Sequence, residues 1–383
     1  MNLKQFKADF QMNLRNLQGW STNRCIIVIE SDDWGSVRMP SKAVYDKMLN
    51  AGIRVDNCPY NQFDSVESQE DLEALFSVLT KFTDIQDNHP IITTNFVVAN
   101  PDFRKIRASG LTKYYFEPFT NTYRRYPFSG DVIKLWDQGI AEKLVYPQYH
   151  GREHLNVNRW MKALQQNLPE TKLAFDHNLF GFSTTITKER RRSYLSAFDF
   201  DDIIELEDHK KILAEGLEIF KKIFGFASES FIATNYTWHS SLEGTLADNG
   251  VKYIQGRFVQ IEPSGSSHPP ALKQHRLGRF NKFDQLYLTR NAYFEPSLES
   301  NIDPIAGCLK DISIAFRWKK PAIISSHRLN YIGRIVKKNR KYNLKLLEDL
   351  LNSITNRWKN VEFMNSVQLG AIIGSEVFSN GRT

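Results

Sequence analysis

The stretch CIIVIESDDWGS (residues 25–36) decides the fold, because it joins a short apolar run to two adjacent carboxylates. Residues 25–29 have the length and the β-branched content of a buried strand. Asp32 and Asp33 follow directly, and a strand end holds such side chains in fixed positions. Two like charges side by side cost free energy unless a partner offsets them. A metal ion is one such partner, so the stretch predicts a metal site at a strand end.

Composition limits the class of protein. The chain has 383 residues, of which 41% are apolar and 24% charged, as in an ordinary soluble globular protein. The net charge of +7 is spread along the chain without a recognisable nucleic-acid module, so we expect no nucleic-acid partner. No run approaches the ~18 apolar residues of a membrane span, and the first residues lack the apolar core of a secretory signal. Three cysteines, an odd and sparse set, suit a reducing compartment and predict a cytoplasmic protein. The oligomeric state cannot be read from the sequence.

Strand-like and helical segments alternate along most of the chain, which predicts parallel strands joined by crossover helices. We expect a helical extension over residues 1–22 and a single barrel domain over 23–383. After residues 25–29, the strand-like segments are 91–98, 144–146, 172–175, 230–234, 251–255, 286–289, 322–326 and 361–364. The helical segments are 41–50, 69–82, 132–142, 158–168, 207–224, 240–249, 305–313 and 344–354.

The segment HGREH (residues 150–154) offers two further metal ligands, His150 and His154. Gly151 and the preceding Pro147 favour a loop that enters a helix over a continuous helix. Imidazole nitrogens with one carboxylate oxygen and an open position for water suit zinc. Polar residues also follow the apolar runs at 235–236 and 326–327, and in parallel barrels the chemistry gathers at the carboxyl ends of the strands.

Together these elements resemble the polysaccharide deacetylase family (NodB-like, carbohydrate esterase family four) over roughly residues 24–330. The resemblance implies an α/β fold, a distorted (β/α) barrel with about seven parallel strands. It also implies that Asp32 is a general base, that Asp33, His150 and His154 bind a divalent metal, with Zn²⁺ preferred by ligand type, and that His327 is a general acid.

The activity that the resemblance implies is removal of an N-acetyl group from a sugar or polysaccharide, so the expected partner is a carbohydrate or another N-acetylated small molecule. Trp34, Asn235, Tyr236 and Trp238 are the expected substrate contacts, with a backbone amide near Tyr236 at the oxyanion. The chain departs from the family at its Arg-x-Pro-Tyr motif, because residues 231–238 (FIATNYTW) contain neither the Arg nor the Pro. The residues that could replace this arginine are Arg257, Arg290 and Arg328. The acidic motif that usually supports the late histidine is not evident either.

Two alternatives remain open from the sequence. The segment HGREH also matches the His-x-x-Glu-His pattern of inverted zincin metalloproteases, with Glu153 as the base. That reading needs a continuous helix and leaves Asp32, Asp33 and His327 unused. The other alternative is a catalytically inactive glycan-binding barrel, which the missing arginine favours and the complete metal set opposes.

Overall fold

The computed structural model describes residues 3–126, 130–298 and 303–379. Its strands are β1 (Cys25–Trp34), β2 (Ile92–Val97), β3 (Ala99–Pro101), β4 (Phe116–Pro118), β5 (Val145–Gly151), β6 (Ser230–Ile232), β7 (Tyr253–Gly256), β8 (Val259–Glu262), β9 (Ala271–Gln274), β10 (Leu286–Thr289), β11 (Ala292–Tyr293), β12 (Ala322–His327) and β13 (Val361–Met364). Its α-helices are α1 (Leu3–Asn16), α2 (Lys42–Asn50), α3 (Pro59–Phe63), α4 (Gln69–Leu79), α5 (Phe103–Ala108), α6 (Phe119–Arg124), α7 (Val132–Ala141), α8 (Val157–Gln165), α9 (Pro169–Asp176), α10 (Leu206–Phe224), α11 (Leu242–Asp248), α12 (Pro304–Arg317), α13 (Lys337–Arg357) and α14 (Ser366–Ser379).

Nine strands form one parallel sheet in the order β10-β7-β6-β5-β2-β1-β12-β11, with β13 paired to β1. The strand β1 is central, because it pairs with β12 on one side and with β2 and β13 on the other. Helices separate most consecutive strands of this sheet, as parallel pairing requires. The structure confirms the predicted α/β fold with a parallel sheet. In the described ranges the sheet has nine strands, where the resemblance implied about seven; eight of them match strand-like segments of the sequence, and the two-residue β11 leaves no pattern there.

The two ends of the strand order are neighbours in the chain, so the sheet curls into a barrel. Only Arg290 and Asn291 separate β10 from β11. The backbone N–H of Arg290 donates to the carbonyl oxygen of Gly256 (2.8 Å), and that of Asn291 donates to the carbonyl oxygen of Ile323 (3.1 Å). These two residues therefore step from β7, the neighbour of β10, across to β12, the neighbour of β11. Arg290 thus lies where the barrel closes.

The inward face of β1 changes from apolar to acidic along its length. Because residues two apart share a face of a strand, Ile26, Val28, Glu30 and Asp32 point the same way. Ile26 and Val28 pack in a buried cluster with Leu286, Leu288 and Ile323 of neighbouring strands and with Leu369 and Ile373 of α14. The barrel is therefore filled by apolar side chains at the amino end of the strands and becomes polar towards their carboxyl ends.

Helix α10 begins and ends where its sequence carries the residues typical of helix ends. Its first turn carries Glu207 and Asp208, which suit the positive end of the helix dipole. Its buried residues recur at helical spacing, and Gly225 ends the helix in the left-handed conformation (φ +77°). The predicted helix over 207–224 is therefore found almost residue for residue.

The strand predicted over residues 172–175 is wrong, because this segment lies inside α9. Pro169 occupies the first turn of that helix, where its missing N–H costs nothing. Thr171, Ala174 and Phe175 are its buried residues, a helical spacing that the apolar run concealed. None of the helices in the described ranges combines the length and the apolar character needed to cross a membrane. The division at residue 22 stays a prediction.

Candidate metal centre

A bulge in β1 brings both aspartates to the same cavity. Ser31 pairs with Thr94 of β2 and Trp34 pairs with Phe96 of the same strand. The two residues Asp32 and Asp33 of β1 therefore lie opposite one residue of β2, which is the pattern of a β-bulge. Regular alternation would send Asp33 to the face opposite Asp32. Instead Asp33 has a φ of +75°, and both carboxylates line the cavity. A non-glycine residue in this conformation stores strain, a feature that clusters at functional sites.

Asp33 lies between the two histidines of the HGREH segment. Its Oδ1 is 3.4 Å from Nε2 of His150 and 3.3 Å from Nε2 of His154. One ligand atom from each of the three residues lies within 4.8 Å of the others. Two ligands that stand about 2.0–2.1 Å from a tetrahedral zinc ion are about 3.3–3.4 Å apart, so the observed spacing fits such an ion. Oδ1 of Asp33 is also buried without a hydrogen-bond partner among the described residues, which is expected of an oxygen that binds a cation.

Both imidazoles direct one ring nitrogen at Asp33. His150 is the last residue but one of β5, and its Nδ1 is 2.9 Å from the carbonyl oxygen of Ile232. A carbonyl only accepts, so Nδ1 carries a hydrogen, which leaves Nε2, the nitrogen that faces Asp33, as the atom that could bind a metal. His154 lies in the loop before α8, where burial outweighs the nearby Asp33 and lowers its pKa to about 4. An imidazole must be unprotonated to bind a metal, which this pKa ensures at neutral pH.

Of the three arginines considered as replacements for the one missing from the local motif, Arg290 is the one that contacts Asp32. Its Nη1 and Nη2 each donate to a different oxygen of Asp32 at 2.7 Å, and Nδ2 of Asn95 donates to Oδ1 of Asp32 at 2.8 Å. Burial acts to raise the pKa of Asp32, but Arg290 outweighs it and holds this pKa below its ordinary value. Of the other two candidates, Arg257 packs on the ring of Tyr236 and Arg328 pairs with Asp64.

Arg290 also neutralises Glu30, which its Nε contacts at 2.6 Å, and all three side chains are almost fully buried. We expect Arg290→Met to lower the free energy of unfolding by about 3–5 kcal/mol, because Glu30 and Asp32 would lose their buried cation. Denaturant titration measures this, and Arg317→Gln is the matched control, since Arg317 is exposed at the far end of α12. A change below about 1 kcal/mol would show that the cluster does not need this charge.

His327 ends β12 on the other side of Asp32. Its Nε2 is 3.8 Å from Oδ2 of Asp32, and its Nδ1 is 2.6 Å from Oε1 of Glu295. Burial acts to lower the pKa of His327, but the Glu295 carboxylate outweighs it and raises this pKa to about 10. Asn330 donates to the second oxygen of Glu295 at 2.8 Å. His327 is therefore protonated at neutral pH, supported by an acidic residue that sequence reasoning missed.

These groups share one cavity of about 270 Å³. The structure brings together the predicted residues Asp32, Asp33, His150, His154, Asn235, Tyr236 and His327 in its wall. The remaining lining residues are Ser36, Arg38, Tyr60, Asp64, Leu195, Ala233 and Arg257, most of which carried no signal in the sequence.

Two expectations about the substrate side need correction. Trp34 is fully buried and its Nε1 donates to Ser31, and Trp238 is buried with its Nε1 donating to Glu243. Neither ring lines the cavity, so they cannot form a sugar platform there. The backbone N–H of Tyr236 itself donates to the carbonyl oxygen of Ala233 (3.0 Å), and the expected oxyanion contact from a backbone amide near Tyr236 stays a prediction.

The inverted zincin geometry does not fit the structure. His150 belongs to a strand and His154 to a loop, so the segment is not a continuous helix. Glu153 is buried and bound by Nε of Arg152 (2.7 Å) and the hydroxyl of Tyr114 (2.9 Å). It does not line the cavity and cannot act there as a base.

No protein-family model matches the chain, and no curated protein is similar to it in sequence. Solved structures that resemble the chain do so at low identity, as three examples show. A 4-alpha-glucanotransferase from Thermococcus litoralis is 10% identical with a TM-score of 0.45, over 90% of this chain and 40% of its own. A probable polysaccharide deacetylase from Pseudomonas aeruginosa PAO1 is 8% identical with a TM-score of 0.45, over 94% of this chain and 93% of its own. Puue allantoinase is 8% identical with a TM-score of 0.45, over 95% and 94%. Likenesses this distant assign neither a family nor an activity to the chain.

Proposed function

We propose that the protein is a metal-dependent hydrolase that removes an N-acetyl group from a sugar or polysaccharide. The observation that carries the proposal is the gathering of Asp33, His150 and His154 around one point, in a cavity whose wall also holds Asp32, bound by Arg290, and His327, bound by Glu295. Hydrolysis of an amide by an activated water needs these three components together. The catalytically inactive glycan-binding barrel was considered because the local motif lacks an arginine. The two hydrogen bonds from Arg290 to Asp32 remove that reason.

The three ligands would hold a divalent cation, and two nitrogens with one oxygen favour Zn²⁺. When bound, such a cation supplies Lewis-acid polarisation of a carbonyl oxygen and of a water molecule. The residues of this chain leave a cavity beside the three ligands for both groups.

Asp32 accepts the proton of the attacking water. Its carboxylate is ionised across the neutral range, because Arg290 lowers its pKa against the effect of burial. Arg290 and Asn95 together hold both carboxylate oxygens in a fixed orientation. A base held in this way needs no reorganisation when the proton moves.

His327 donates a proton to the departing amine nitrogen. Its Nδ1–H is bound by Glu295, so Nε2–H is the bond that faces Asp32 and the cavity. An amine leaves from the tetrahedral intermediate only when its nitrogen is protonated, which makes a positioned acid worth about 10²–10⁴-fold in rate.

The pH profile should depend on Glu295. His327 donates only while protonated, so activity is retained below its pKa and lost as the pH rises through about 10. In Glu295→Gln the carboxylate that raises this pKa is gone, while burial still acts to lower it. We therefore expect the alkaline limb of the kcat profile to move down towards neutral pH. An alkaline limb in the same place in both proteins would mean that His327 is not the acid.

Release of acetate tests the function itself. The purified protein is treated with a chelator, reloaded with Zn²⁺, and incubated with oligomers of N-acetylglucosamine. We expect acetate and free amines to form after reloading and not before. Stoichiometric metal without acetate release from any N-acetylated sugar would contradict the proposal and favour a glycan-binding barrel.

A further inference from the structure

Arg38 is a buried charge in the cavity wall that makes no ion pair with any residue the structure describes. It lies on the loop between β1 and α2, is only 6% exposed, and lines the cavity. Its Nε is buried without a hydrogen-bond partner, and within the described ranges the side chain makes no ion pair. A guanidinium carries five N–H donors, and burying such a charge without a partner costs free energy.

The carboxylates of the same wall are committed to other groups. Asp32 is bound by Arg290, and Asp33 faces the two histidines. Asp64, the third, has its Oδ1 2.9 Å from Nη2 of Arg328, and Arg38 acts on this carboxylate only from beyond ion-pair distance, as one of the charges that act to lower its pKa against the effect of burial. The described part of the wall therefore offers Arg38 no carboxylate within ion-pair distance.

Two aromatic rings hold the guanidinium of Arg38 in place. Its Cζ is 5.8 Å from the ring centroid of Tyr60 and 5.4 Å from that of Phe180. Such contacts stabilise the charge modestly, but they satisfy none of its N–H donors. They also limit the rotamers of the side chain, so it is pre-organised for a ligand.

We propose that Arg38 binds an anionic group of the substrate, a carboxylate or a phosphate, so that the N-acetylated molecule hydrolysed here carries a negative charge. This inference rests on the proposed function. Arginine matches both groups with two parallel hydrogen bonds, and a buried pair of this kind is stronger than a neutral contact. Arg257 also lines the cavity, but it is exposed and packs on Tyr236, so its charge is screened by water.

Matched substrates separate charge from shape. N-acetylmuramic acid is compared with its methyl ester, which tests a carboxylate, and N-acetylglucosamine 6-phosphate with N-acetylglucosamine, which tests a phosphate. In the zinc-loaded wild type we expect kcat/KM to favour the charged member of one pair by about 10- to 100-fold, the size of a charged hydrogen bond. The pair that shows the preference identifies the source of the charge.

Arg38→Met should reduce that preference to near one while the neutral member is still hydrolysed. Arg38→Lys keeps the positive charge but cannot donate two parallel hydrogen bonds as a guanidinium does, so it should retain an intermediate preference for the charged substrate. The matched control is Arg317→Gln, which removes one exposed guanidinium from α12 and should keep the full preference. If neutral and charged sugars are hydrolysed equally well by the wild type, or if Arg38→Met keeps the preference, the inference is overturned while the proposed function stands.

If no sugar is hydrolysed, phosphate binding and thermal stability test whether Arg38 forms an anion subsite. Calorimetry then measures inorganic phosphate binding to the zinc-free protein, and we expect Arg38→Met to bind at least about tenfold more weakly than the wild type and Arg317→Gln equally well. Without phosphate, Arg38→Met should melt at the same or a higher temperature, because a costly unpaired charge has gone. That result keeps the anion subsite while the deacetylase proposal falls. Absence of phosphate binding by the wild type, equal binding by Arg38→Met, or a lower melting temperature of this variant overturns the subsite.

Discussion

Replacing Asp33 with alanine is expected to abolish stoichiometric zinc binding and to lower kcat by roughly 10³-fold or more. The variant removes the single carboxylate that lies 3.3–3.4 Å from both imidazole nitrogens, and two histidines alone make a weak site. Elemental analysis of the protein after dialysis measures the metal, and acetate release measures the rate.

The loss should be specific to this carboxylate. Asp349→Ala, on the exposed face of α13 where Asp349 pairs with Lys345, is the matched control and should keep full zinc content and activity. His150→Ala should reproduce the loss of metal, because His150 supplies one of the three ligand atoms. A full equivalent of zinc in Asp33→Ala would place the metal elsewhere.

Replacing Asp32 with asparagine is expected to lower kcat by about 10²–10⁴-fold while the zinc content stays unchanged. The side chain keeps its size, but the amide cannot accept a proton from water at neutral pH. Asp32 is not among the three ligands, which separates this variant from Asp33→Ala. Metal content and kcat are measured on the same preparation.

Two outcomes would change the assignment of Asp32. A kcat within about fivefold of the wild type would show that another group takes the proton. Loss of zinc in Asp32→Asn would show that the two adjacent carboxylates share the metal, so that their roles are not divided as proposed.

The parts of the site that could be predicted are those written in short local patterns. Asp32 and Asp33 stand at the end of an apolar run, and His150 and His154 stand four residues apart. The structure brings all four to one cavity, because the carboxyl ends of parallel strands share one edge of the barrel. His327 follows the same logic at the end of β12.

The partner of the proposed base could be narrowed only to three arginines and the partner of the proposed acid could not be predicted at all, because both contacts are long-range. Arg290 lies 258 residues from Asp32 and reaches it only because the sheet closes between β10 and β11. Glu295 lies 32 residues before His327 and reaches it because β11 pairs with β12. A two-residue strand gives no periodic signal, so neither contact is visible in the sequence.

Two local errors have equally concrete causes. Trp34 follows Asp33 directly, yet the bulge at the two aspartates turns its ring into the core beside Trp136 and Tyr331. The run at 172–175 is apolar enough for a strand, but the proline at 169 starts a helix there. Apolar content alone does not distinguish a short strand from one turn of a buried helix.

Anomalous diffraction at the zinc edge from crystals of the zinc-loaded protein is the measurement that bears most directly on the metal centre. We expect one dominant peak about 2.0–2.2 Å from an oxygen of Asp33 and from Nε2 of both His150 and His154. A zinc peak bound to other residues would contradict the assignment of these three side chains as the zinc ligands. The absence of any peak from crystals kept in a zinc-containing solution would contradict it as well.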